Sequence, residues 1–138
     1  MSRRLAREIA FKTLFQYDIG KNEVEPTISQ LIEENGLEGA GVEFSRQLVL
    51  GTLKNLDAID QALAGYLQKW ELGRLAAVDR NVLRLAAFEI LYREDIPAAV
   101  TINEALELSK AFHSEEAAKF LNGVLDKLAR HQEGKEVE

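Results

Sequence analysis

The chain has 138 residues, a formal net charge of −6 and no cysteine, and 46% of its residues are hydrophobic. This length and composition indicate one globular domain with enough apolar surface to form a core, and they exclude extended disorder. The missing cysteines exclude disulfides, thiolate nucleophiles and cysteine-ligated metals. The negative charge excludes a protein that coats nucleic acid with its whole surface, but it is compatible with a local basic patch.

The sequence contains no segment typical of membrane insertion or secretion. A membrane-spanning helix needs about 20 apolar residues, and the apolar runs here are only a few residues long. The basic N-terminus is not followed by the apolar core of a signal peptide, because Glu8, Lys12 and Gln16 interrupt it. We therefore expect a cytoplasmic protein.

Leucine and alanine dominate the composition, and no segment alternates with a period of two, which predicts an all-α protein of about seven helices. In the first half, we predict helices over residues 2–19 and 27–35. A longer helical segment follows over residues 42–67, with a bend near Gly51 or Asn55.

In the second half, a strongly apolar helix is predicted over residues 79–93, with Asp79 as its N-cap. A further helix follows over residues 101–112, and the last helix is capped by Ser114. The polar tail, residues 131–138, is expected to fray.

These elements favour a single domain over residues 1–130. Within it, two helical sub-bundles are predicted, at about residues 1–67 and 68–130.

Three polar features of these helices have structural interpretations. Thr27 with Gln30, and Thr101 with Glu104, have the spacing of capping boxes and predict two helix starts. In addition, two charged residues, Arg84 and Glu89, lie in the very apolar fifth helix. For them a buried ion pair or a cap interaction is the favoured role.

Signatures of enzymes and metal sites are missing. The two histidines, His113 and His131, lie on different predicted elements. The glycines around Ala40 lack the third glycine of a dinucleotide-binding loop, since Phe44 occupies that position. Adjacent carboxylates such as Glu115 and Glu116 are typical of a solvated helix start. We therefore predict no catalysis, no cofactor and no metal.

The N-terminus is basic and aromatic. The first twelve residues carry four basic side chains and one acidic side chain, a local charge of +3 in a chain of −6. Arg4, Arg7, Phe11 and Phe15 are three or four residues apart and share one side of the first helix. Guanidinium groups pair with phosphates and aromatic rings stack on bases, so this pattern suits a single-stranded nucleic-acid site. From the pattern alone, however, core phenylalanines with solvated arginines are the favoured interpretation.

Three stretches of the second half resemble the NusB family of transcription antitermination factors. They are LAAVDRNVLRLAAFEI at residues 75–90, IPAAVTINEALELSK at 96–110 and KFLNGVLDK at 119–127. The arginine-rich start leading into Ala6-Arg7-Glu8 is similar as well. The resemblance spans roughly residues 2–130.

This resemblance implies an all-α, NusB-like fold of two small packed helical bundles without catalytic activity. It implies binding to boxA, a single-stranded segment of ribosomal RNA leader transcripts, together with NusE, a ribosomal small-subunit protein. It also implies assembly with RNA polymerase, NusA and NusG to suppress termination. A homodimer is an additional state that the sequence leaves open.

The resemblance also implies an RNA-binding surface, in which arginines and a lysine hold phosphates and phenylalanines stack bases. Two positions depart from the family's pattern: Phe15 stands where tyrosine is common, and Asp79 where glutamate is frequent. The first loses a hydroxyl, and the second has a shorter reach to a base edge or a partner. The implied RNA-binding residues are Arg3, Arg4, Arg7, Phe15, Asp79, Lys119, Phe120 and Asn122.

Three other classes compete with this interpretation. One is a stand-alone helical domain related to the accessory domains of ribosomal RNA methyltransferases, and another is a purely structural helical homodimer. The third, a helix-turn-helix DNA-binding protein, is disfavoured by the net charge and by the lack of a basic recognition helix. If the RNA surface is as implied, replacing both Arg4 and Arg7 with alanine should weaken RNA binding and leave the fold intact.

Overall fold

The computed structural model describes residues 3–67 and 71–137, and within these ranges the chain is all-α, as predicted. In the described part of the chain, a short 3-10 turn, Leu72–Arg74, lies between the fourth and fifth of seven α-helices. No helix in the described ranges is long and apolar enough to cross a membrane. The helices are α1 Arg3–Gly20, α2 Val24–Asn35, α3 Ala40–Lys54, α4 Leu56–Ala64, α5 Ala77–Tyr92, α6 Ala98–Phe112 and α7 Glu115–Val137.

Helix α5 is the centre of the fold, because α1, α3, α4, α6 and α7 all pack against it. All residues from Asn81 to Glu89 except Arg84 are buried, as expected for a helix covered by neighbours on most sides. One continuous cluster of buried side chains joins Leu14 of α1, Leu48 of α3, Leu83 of α5 and Leu125 of α7. The two halves of the chain therefore share one core, in which α5 is the common element.

The predicted bend in the third segment is at Asn55, between α3 and α4. The Asn55 side chain donates a hydrogen bond of 2.8 Å to the carbonyl of Gly51, one of the carbonyls at the end of α3. Gly51 has a second role, since a Cβ atom there would lie 2.2 Å from the Phe88 ring of α5. This glycine lets α3 approach the central helix closely.

Both predicted capping boxes are wrong, because α2 and α6 begin three residues earlier than expected. Pro26 lies in the first turn of α2 and Pro97 directly precedes α6, positions where a missing N–H costs no helical hydrogen bond. Thr27 instead donates 2.7 Å to a backbone carbonyl one turn earlier. Thr101 is buried and donates 3.0 Å to the carboxylate of Glu89.

The ends of α5 and α7 also differ from expectation. Asp79 lies inside the first turn of α5 and does not cap it, since that helix begins at Ala77. The predicted cap of α7 is confirmed, because the Ser114 hydroxyl accepts a 3.0 Å hydrogen bond from the amide of Ala117. The tail does not fray after residue 130, since α7 continues to Val137.

Candidate nucleic-acid interface

The three N-terminal arginines lie in three different environments. The Arg3 guanidinium carbon is 4.2 Å from the centroid of the Phe44 ring of α3. Arg4 is exposed and donates two hydrogen bonds, of 3.1 and 2.8 Å, to the carboxylate of Glu104 on α6. Arg7 is buried against the central helix. Since each helical position turns the side chain by about 100°, neighbouring arginines diverge around the helix end.

Arg7 belongs to a buried polar network. Its guanidinium donates three hydrogen bonds of 2.9–3.2 Å to Glu89, which also accepts the hydrogen bond from Thr101. The predicted buried ion pair is thereby confirmed for Glu89, whereas Arg84 forms a partly buried ion pair, with Asp60 at 2.8 Å. A guanidinium held in this way is part of the core and is not presented to a phosphate in solution.

A first groove, between α1 and α6, contains the Arg4–Glu104 pair. The hydrogen bond from Arg4, together with the charges of Arg4 and Arg7, outweighs burial and lowers the pKa of Glu104. The same pairing raises the pKa of Arg4. Both groups are therefore charged at neutral pH. We call this groove, about 160 Å³ in volume, the arginine groove; it is lined by Arg4, Arg7, Glu8, Glu104, Glu107, Leu108, Ala111 and Phe112.

A second groove, of about 320 Å³, is mainly aromatic. The Phe11 ring is buried, and its centroid lies 5.3 Å from that of Phe112 and 6.1 Å from that of Phe15. Lys12 extends over Phe112, with Nζ 5.5 Å from the ring centroid. Phe112 and the half-buried Phe15 thus offer partly open ring faces, while Phe11 is a core residue. We call this the aromatic groove; it is lined by Phe11, Lys12, Phe15, Gln16, Val78 and Phe112.

A third depression, of about 490 Å³, lies where α5, α6 and α7 meet. The Asp79 carboxylate accepts a 2.9 Å hydrogen bond from Nδ1 of His113 there, and the half-buried Phe120 ring forms part of the wall. The Asp79 carboxylate, the His113 imidazole and the Phe120 ring therefore lie in the same depression. We call this the histidine cleft; it is lined by Arg74, Leu75, Ala76, Asp79, His113, Ser114, Glu116, Ala117 and Phe120.

The three depressions follow one another along the molecule. Phe112 lines both the arginine groove and the aromatic groove, and its neighbour His113 lines the histidine cleft. Val78 of the aromatic groove likewise adjoins Asp79 of the cleft. We call these three neighbouring depressions, which lie between the start of α1 and the start of α7, the track. Of the residues implied by the resemblance, the track brings together the exposed Arg4, the half-buried Phe15 and Phe120, and the buried Asp79.

Three other implied residues lie outside the track, and the fourth, Arg7, lines the arginine groove only as a buried side chain. Arg3 lies on the α3 side of the helix end, and Arg7 is buried beneath the arginine groove. Lys119 and Asn122 are exposed on α7, and neither lines any of the three depressions. Asn122 is two residues beyond Phe120, which places it about 200° around the helix.

Three residues of the track were not anticipated as site residues. Phe112 follows Leu108 by four residues and thus matches the pattern of a core residue, yet it is 38% exposed. The role of His113 depends on the distant Asp79, which only tertiary structure brings near. Glu104 was assigned to a cap, and its pairing with Arg4 spans 100 positions of sequence.

Known proteins similar to this chain all point to one family. The model of the NusB family matches residues 4–130. The transcription antitermination protein NusB of Desulforamulus reducens is 48% identical over 128 residues, covering 93% of this chain and 90% of that protein. The NusB of Geobacter sulfurreducens is 41% identical over 129 residues, covering 93% and 94%.

Solved structures agree with the sequence matches. T. maritima NusB aligns with a TM-score of 0.88 at 40% identity, covering 94% of this chain and 92% of that chain. A crystal structure of the antitermination factors NusB and NusE in complex with dsRNA aligns with a TM-score of 0.86 at 26% identity, covering 94% and 96%. The family model spans nearly the whole chain, and the fold agrees throughout, so the chain belongs to the NusB family.

Proposed function

We propose that this chain is an RNA-binding antitermination factor that holds single-stranded boxA RNA along the track and does so together with NusE. The observation that carries the proposal is the continuity of the track, with a cation at one end and ring faces in the middle and at the other end. Membership of the NusB family supports it, as does the likeness to a NusB that was crystallised with NusE and RNA.

Each part of the track has a physical role in this proposal. Arg4 holds a phosphate in the arginine groove. Phe15, Phe112 and Phe120 stack bases, each contributing about 1–3 kcal/mol. Asp79, oriented by His113, accepts a hydrogen bond from an amino group on a base edge or on a partner.

The remaining implied residues have supporting roles. Arg3 and Lys119 add phosphate contacts at its two ends, and the exposed Asn122 contacts the RNA or the partner from α7. Arg7 holds the start of α1 on the central helix and makes no phosphate contact itself. With three cationic contacts, the logarithm of the binding constant should fall with the logarithm of salt with a slope of about −2.

In the cell, we propose that the protein acts by assembling a complex and does not catalyse a reaction. NusE extends the RNA surface and tightens RNA binding through positive coupling of about 1–3 kcal/mol. The complex then joins RNA polymerase with NusA and NusG in the cytoplasm and suppresses termination.

The test is a fluorescence-anisotropy titration of a labelled boxA RNA, with a scrambled RNA of equal length as the control. Each titration is repeated with NusE and with a duplex of the same sequence. We expect preference for single-stranded boxA, and a lower Kd with NusE. Equal, weak binding to all RNAs that NusE does not change would refute the proposal.

A further inference from the structure

The guanidinium donors of Arg4 that could bind a phosphate are already hydrogen-bonded to Glu104. Its Nε and one terminal nitrogen both donate to the two carboxylate oxygens of Glu104, at 3.1 and 2.8 Å. This two-bond geometry is the one in which a guanidinium binds a phosphate. An RNA phosphate and Glu104 therefore require the same donors of the same side chain.

We propose that Glu104 is an internal competitor for the RNA phosphate, so that Arg4 must exchange a carboxylate for a phosphate when RNA binds. This inference rests on the proposed function, because it assumes that RNA reaches the arginine groove. It assigns to Glu104 a direct control of RNA affinity, which a helix cap would not have.

The surroundings of the pair make the exchange physically accessible. The Arg4 side chain is 67% exposed and can reorient toward solvent, while Glu104 is only 13% exposed and stays on α6. When Arg4 leaves, Glu104 keeps a cation nearby, since a terminal nitrogen of Arg7 lies 4.0 Å from its Oε1. The carboxylate is therefore not left as an isolated buried charge, which would be prohibitive.

The negative charge of the arginine groove also opposes phosphate binding. Glu8 and Glu107 also line it, and the charge of Glu107 acts on Arg4. An incoming phosphate thus meets the carboxylates of Glu104 and Glu107 beside the exposed guanidinium of Arg4, while Glu8 is paired with Lys12 at 3.2 Å. RNA affinity should consequently be lower than the arginine-rich N-terminus suggests, and the freed Glu104 should take up salt cations as RNA releases them.

The decisive variant is Glu104→Gln, which keeps the side-chain length and one oxygen acceptor for Arg4 but removes the charge. We expect its Kd for RNA to fall about two- to fivefold, the range of a partly exposed ion pair. Because phosphate contacts carry no sequence information, boxA and scrambled RNA should tighten equally. The slope of the logarithm of the binding constant against the logarithm of salt should steepen by up to about 0.7, which corresponds to one additional phosphate contact on a single strand.

Glu107→Gln is the matched control, because it removes the same charge from the same groove and helix, and Glu107 acts on Arg4 only through its field. We expect its Kd to change less than twofold. A further variant combines Glu104→Gln with Arg4→Ala, and the gain in affinity should then disappear. Circular dichroism melting of each variant confirms that the fold is retained.

The outcomes distinguish failure of the proposed RNA-binding function from failure of the competition between Glu104 and RNA. Failure of the unmodified protein to bind RNA refutes the proposed function itself. If it binds RNA, unchanged or weaker binding by folded Glu104→Gln overturns the competition and leaves Glu104 as an organiser of Arg4. Equal tightening by Glu107→Gln also overturns it, since the effect would then be a general field of the groove.

Discussion

At the scale of single residues, arginines at nearby positions of α1 have different roles. Arg4 and Arg7 are three residues apart and were predicted on one RNA-facing side, yet one is exposed and the other is 4% exposed. The difference arises from Glu89, which lies 82 positions from Arg7 and draws its guanidinium into the core. The expectation that both arginines can be replaced without loss of the fold is therefore wrong for Arg7, because its buried ion pair with Glu89 would be lost.

We predict that Arg7→Ala destabilises the fold by about 3–5 kcal/mol, because it leaves the Glu89 carboxylate buried without its cation. Arg4→Ala is the control and should leave the unfolding midpoint nearly unchanged, since its side chain is exposed. The measurement is chemical denaturation followed by circular dichroism. Equal midpoints for Arg7→Ala and the unmodified protein would contradict a structural role for this ion pair.

At the scale of elements, helix interiors follow the sequence pattern, whereas helix starts depend on proline and on tertiary partners. Thr101 has capping-box spacing with Glu104, but both side chains bond to groups on other helices. The close contact of α3 and α5 is similarly invisible to periodicity, because it depends on the missing side chain of Gly51 facing Phe88.

Gly51→Ala should therefore destabilise the protein by about 1–3 kcal/mol, since the new Cβ atom overlaps the Phe88 ring, which is itself stacked on Tyr92. Gly123→Ala is the matched control, because a Cβ atom at that helical glycine meets nothing within 4 Å. It should stabilise by up to about 1 kcal/mol through higher helix propensity. Urea denaturation of both variants tests the pair, and equal effects would contradict the proposed contact.

At the scale of the whole molecule, a polar network ties the two halves together outside the apolar core. Asp18 at the end of α1 accepts hydrogen bonds from Arg80 at 2.8 Å and Asn81 at 2.9 Å, and Arg84 lies 3.6 Å away. Arg80 also donates to backbone carbonyls at the turn before α5, including that of Leu75 at 3.0 Å. This network holds the turn that forms one wall of the histidine cleft.

The network gives folding a pH dependence. Burial alone would raise the pKa of Asp18, but the hydrogen bonds from Asn81 and Arg80 and the arginine charges outweigh it and lower the pKa. The folded state therefore binds a proton less readily than the unfolded state. The stabilisation is present above the unfolded pKa of about 4 and is lost as the pH falls through the folded pKa. Glu104 and Asp95 contribute in the same direction.

We predict that the free energy of unfolding decreases below about pH 4 and that Asp18→Asn makes this decrease shallower without abolishing it. The same variant should be less stable at pH 7, because the charged acceptor is lost. Denaturation curves collected from about pH 2.5 to about pH 7, across the unfolded carboxyl pKa of about 4, test this. An identical pH profile for Asp18→Asn would show that the network does not contribute.

The sequence by itself determined the helical class, a bend near Gly51 or Asn55, the cap at Ser114 and the family, because these depend on local periodicity, local hydrogen bonding and contiguous motifs. It also supplied Arg4, Phe15, Asp79 and Phe120 as candidates for the site. Only the tertiary structure decided which candidates share one track, since the partners Glu104, Phe112 and His113 lie on α6 or at its end, far along the chain. Burial and ion pairing are long-range properties, and a spacing rule along one helix does not contain them.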